Sequence, residues 1–145
     1  MLKKWWGKPK ADLHEFNPGG IPENVLKLNG NKEIGPNCWN ATIMFFDSLE
    51  PIRYTPPEVM ADWLQKNTVE DQYKFQAVGS ILVLFNDDIE EAGGLIHTAV
   101  YVAPSILFHK RGTGGHWEFV TEKQLRRIYF ETTRSEYRLF SETTK

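Results

Sequence analysis

Residues 95–110 read LIHTAVYVAPSILFHK: two apolar runs of β type, each carrying one histidine, joined by Ala-Pro-Ser. β-Branched and aromatic residues dominate both runs, and the proline-serine break is turn chemistry, so the stretch predicts an antiparallel hairpin turning around Ala103 to Ser105. In a strand, alternate side chains share a face, which puts Leu95, His97, Ala99 and Tyr101 together. Pairing across the turn then brings His97 and His109 side by side.

Around this hairpin the chain changes character. SILVLF (80–85) predicts a further strand, followed by the acidic loop NDDIEEAGG (86–94). After the hairpin come a glycine-rich loop and short strand (RGTGGHWEFV), a helix from TEKQLRRIYF capped by Thr121, and a last strand in SEYRLFS. Upstream the periodicity is helical. Asn37 is a good N-cap for a helix from Cys38 to about Leu49, with Trp39, Ile43, Phe46 and Leu49 at helical spacing. A second helix opens at Thr55, has Pro56 and Pro57 in its first turn, presents Val59, Trp63 and Leu64 on one face and stops at Asn67. Helices first and strands after is the α+β pattern. Residues 1–36, rich in Gly, Pro, Asn and Lys, read as an irregular arm, with 37–145 as the functional domain.

The totals fit one globular domain. The chain has 145 residues, 41% hydrophobic and 13% aromatic, with a net charge of -2. That balance gives no electrostatic footprint for nucleic acid. No apolar run approaches the 18 or so residues of a membrane helix. The N-terminus has a basic start without an apolar stretch to follow, so no signal peptide is expected in this chain. A single cysteine excludes an internal disulfide.

That cysteine, Cys38, sits in the first turn of the first predicted helix. Unpaired N–H groups and the helix dipole favour a thiolate there, so its pKa should fall below the free value of about 8.5. His97 is the candidate base, and His109 can hold the far nitrogen of His97 and fix its tautomer, as the third member of a triad does. The main-chain N–H of Cys38 is an oxyanion donor for the same positional reason. Three other readings stay open: Cys38 as a small buried hydrophobe, a CysHis2 zinc site, and a binding module stacking ligand on tryptophans 5, 6, 39, 63 and 117. His14 and His116 belong to no motif.

The order of Cys38 at a helix head, the strand HTAVYV and then His109 in LFHK resembles the NlpC/P60 cysteine peptidases of papain-like fold. The match runs from about Asn37 to His109. It departs at Asn37-Cys38-Trp39, where the family has Asp-Cys-Ser/Gly, and at Gly79-Ser80, where the family has Gly-Asp. The resemblance implies a papain-like domain hydrolysing amide bonds in peptidoglycan stem peptides through Cys38, His97 and His109, with no metal or organic cofactor. It implies a monomer placed in the periplasm or secreted. The related alternatives are an inactive binding module of the same fold, or another thiol amidase or acyltransferase. On the same reading the acidic loop residues Asp87, Asp88, Glu90 and Glu91 would meet a substrate amine.

Overall fold

The computed structural model describes residues 36–72 and 78–141. The expected arm 1–36 lies outside them, Pro36 apart. The fold is α+β: a six-stranded sheet with three α-helices among the described residues. Helix α1 spans Cys38–Phe46 and α2 Pro57–Asn67; strands β1 (Thr68–Glu70), β2 (Ser80–Phe85), β3 (Leu95–Ala103), β4 (Ile106–Lys110) and β5 (Trp117–Thr121) follow, then α3 (Glu122–Ile128) and β6 (Arg134–Phe140). The strand order is β1-β6-β2-β3-β4-β5, and every neighbouring pair is antiparallel.

Each face of the sheet carries its own core. On one face α1 packs through Ala41, Ile43 and Met44, with Met60 and Leu64 of α2, against Ile81, Val83, Val100, Val102 and Phe108. On the other, Leu82, Leu84, Ala99, Tyr101, Leu107 and Val120 meet Leu125 of α3. A sheet covered on both faces reads as continuous apolar runs, which is why SILVLF and TAVYVA lack alternation. Eight of the nine residues of α1 are buried, because the 47–55 loop encloses the side turned away from the sheet.

Several boundaries differ from the sequence reading. Helix α1 stops at Phe46, not near Leu49: the Asp47 carboxylate accepts the Leu49 N–H (3.0 Å), a local bond that competes with the helix, and Leu49 is left 89% exposed. In α2 the buried face is Met60 and Leu64, while Val59 is exposed. Thr55 does not cap that helix; Pro56 holds the cap position, with Pro57 opening the first turn, and Thr55 is drawn instead to Asn37. Strand β1 is too short to leave a periodic signal.

One change of register matters for the site. Leu84 faces His97 and Phe85 faces Leu95, so Ile96 is an extra residue, a β-bulge in β3. Beyond it the expected face of His97, Ala99 and Tyr101 is kept. Leu95, which simple alternation puts with them, belongs to the α1 core instead.

Candidate functional site

Cys38 owes its position to two asparagines. Asn37 caps α1, its Oδ1 accepting from the main-chain N–H of Asn40 (3.1 Å) and of Thr55 (3.2 Å), while its Nδ2 donates to the Thr55 carbonyl (2.8 Å). Asn40 donates to the Pro51 carbonyl (3.0 Å) and accepts from the Arg53 N–H (3.3 Å). Together they fasten the 51–55 segment over the start of the helix. From the sheet side, Thr98 of β3 meets Thr42 (Oγ1 to Oγ1, 2.6 Å) and lies 3.5 Å from the Cys38 carbonyl, so the first turn of α1 is pinned to β3.

The thiol itself is 4% exposed. Burial pushes its pKa up to about 12, although the main-chain N–H groups of Thr98, Trp39 and Cys38 and the charge of Lys110 all act to lower it. The lowered pKa expected from a helix N-terminus is therefore reversed: desolvation outweighs the dipole. Lys110 is fully buried on β4, donating from Nζ to the carbonyls of Gly112 (2.9 Å) and Thr113 (3.1 Å).

The two histidines meet as the hairpin predicts. His97 Nε2 and His109 Nδ1 are 2.9 Å apart, with the rings nearly perpendicular. The strands have parted by this point, since the β3–β4 ladder ends at Val100 and Phe108. Both side chains are essentially buried, at 1% and 0% exposure. Burial, and next the charge of His109, hold the His97 pKa well below the ordinary imidazole value.

Two residues that the sequence reading did not select complete the site. Glu118, opposite His109 across the β4–β5 ladder, places Oε2 3.0 Å from His109 Nε2 and accepts from Arg111 Nε (2.6 Å). Although burial opposes it, the hydrogen bonds from His109 and Arg111 bring the Glu118 carboxyl down to about 2. Tyr129, just after α3, stacks on the His97 ring with centroids 3.8 Å apart. Its hydroxyl pKa is raised by burial and then by the nearby Cys38. Glu118 could have been found as the in-register partner of His109; Tyr129 carries no signal in the sequence.

The structure thus joins His97 to His109 and brings Cys38 to Thr98, the residue after His97. Among the described residues the thiol has no hydrogen bond to the His97 ring. Thr98 points toward α1, whereas His97 shares the opposite face with Tyr129. His116 is exposed in the β4–β5 loop, and His14 lies outside the described residues. The acidic loop turns elsewhere: Asp87 accepts from Thr133 and Arg134, and Glu91 shares a hydrogen bond with Glu58 of α2 that raises its pKa. Among the described residues no group of three or more His, Cys, Asp and Glu side chains converges as a metal site, and no helix is long and apolar enough to cross a membrane. No family model, curated protein or solved structure matches the chain.

Proposed function

We propose that the protein is a thiol hydrolase of papain-like type that cleaves amide bonds, with the peptide stems of peptidoglycan as its substrate class. The observation that carries this reading is the buried imidazole pair, His97 Nε2 to His109 Nδ1 at 2.9 Å, beside a strand residue that touches the cysteine at a helix head. A histidine oriented by a second polar ring, next to a helix-borne thiol, is the arrangement that nucleophilic catalysis requires. The substrate rests on the sequence resemblance.

In this chemistry both groups rest neutral, as burial dictates. When a substrate carbonyl reaches the thiol, the S–H proton passes to His97 Nδ1 as sulfur bonds the carbonyl carbon. The carbonyl oxygen takes the developing charge against the Cys38 main-chain N–H. His97 then returns the proton to the leaving amine, and water cleaves the thioester to carboxylate and free thiol. The reaction needs the thiol and the His97 ring in contact, and the bonds from Thr98 that hold the head of α1 on β3 keep Cys38 on the strand that carries His97.

The buried, high-pKa thiol favours a second reading, an inactive domain of the same fold that binds peptide. Digesting purified peptidoglycan with the wild type and with Cys38→Ala, then comparing released fragments by mass spectrometry, separates the two. Peptide-cleaved products that require Cys38 support the hydrolase. Identical profiles from both proteins contradict it.

A further inference from the structure

The hydrogen-bond chain does not end at the second histidine. His109 uses both ring nitrogens, Nδ1 toward His97 Nε2 (2.9 Å) and Nε2 toward Glu118 Oε2 (3.0 Å), and that same carboxylate oxygen accepts from Arg111 Nε at 2.6 Å. An ionised carboxylate only accepts. His109 Nε2 must therefore carry a hydrogen. When each ring holds one proton, His109 Nδ1 is then a bare acceptor. The hydrogen between the rings must belong to His97 Nε2, and His97 Nδ1 is left with its lone pair free.

We propose that Glu118 is a positioning residue that sets the tautomers of both imidazoles through this chain, so that His97 offers an unprotonated Nδ1 as the base. The inference rests on the thiol hydrolase reading only for what that base receives; the tautomers themselves follow from the geometry. Arg111 has a part in it. Its guanidinium, half-exposed on the far side of Glu118, keeps the carboxylate ionised, and an ionised Glu118 cannot donate back to His109 and reverse the chain. The direction of every hydrogen in the row thus originates at the Arg111–Glu118 pair, with Glu118 on the edge strand β5 and Arg111 just past the end of β4.

The test reads the ring nitrogens directly. Long-range proton–nitrogen correlation spectra of 15N-labelled wild type, taken roughly two units above the ordinary imidazole pKa of about 6.5, should show both rings protonated at Nε2 and bare at Nδ1. In Glu118→Gln the amide can donate as well as accept, so His109 should divide between tautomers and His97 should follow. With an amide substrate, kcat should fall on the order of 10- to 100-fold, the scale seen when an outer partner that orients a functional imidazole is lost, with KM little changed. A wild-type His97 protonated at Nδ1 overturns the proposal. So do tautomers unchanged in a folded Glu118→Gln, or tautomers that shift with no loss of kcat. The wild-type spectrum decides even where the variant does not fold. A protein that cleaves no amide yet shows the predicted spectra counts against the hydrolase reading and not against the role of Glu118 in the chain.

Discussion

Cys38 combines a position that favours the thiolate with an environment that forbids it. The dipole of a nine-residue helix and three N–H groups act for the anion, but removal from water acts more strongly, and the thiol is held at about 12. Alkylation by iodoacetamide should accordingly be slow in the native protein. Its rate should keep rising with pH through the ordinary cysteine value of about 8.5 without levelling off. A plateau at or below that value would show that the thiol is ionised at rest. Helix position is local and legible in the sequence, whereas desolvation depends on the 51–55 segment folding over Asn37 and Asn40 from outside the helix.

The hairpin formed by β3 and β4 was legible because both strands are apolar and their turn residues are adjacent; the histidines meet beyond the end of the ladder rather than at facing positions. The bulge at Ile96 was not, because nothing in LIHTAV distinguishes it; the shift arises where β3 must pair with β2 while beginning at a tight turn. That turn uses Gly94, whose φ is +89° and whose missing Cβ would lie 2.5 Å from the Asn86 carbonyl oxygen. Gly94→Ala meets both a left-handed backbone and a collision with main chain, so it should cost about 1–3 kcal/mol of stability, read by thermal or denaturant unfolding. A loss under about 0.5 kcal/mol would mean that the start of β3 can shift without harm. The insertion of β6 between β1 and β2 was likewise invisible, since pairing of distant strands leaves no mark on either. The end of α1 was lost to Asp47, whose side chain outcompetes helix continuation.

At the scale of the whole domain, the ion pair of Glu118 on the edge strand β5 ties stability to pH. The folded Glu118 pKa, about 2, lies below the unfolded value of about 4.3, so its contribution is fully present above 4.3 and is lost as pH falls toward 2. Acid unfolding of the wild type should show a slope in that window worth about 1–3 kcal/mol, and Glu118→Gln should flatten it; an unchanged slope would place the acid sensitivity elsewhere. Activity should also fall on the acid side as the imidazole pair takes an extra proton, in a field set by Glu118, Arg111, Lys110, Tyr129 and Cys38, since that proton occupies the nitrogen the thiol needs. The central claim is that His97 serves Cys38 as a base. It is tested most directly by the rate at which a neutral peptidyl electrophile, long enough to fill an extended cleft, forms an adduct on Cys38 in the wild type and in His97→Ala, followed by intact-protein mass spectrometry. The account predicts a single adduct on Cys38, formed on the order of 100-fold faster or more in the wild type, the scale of a positioned general base. Equal rates in the two proteins would contradict it.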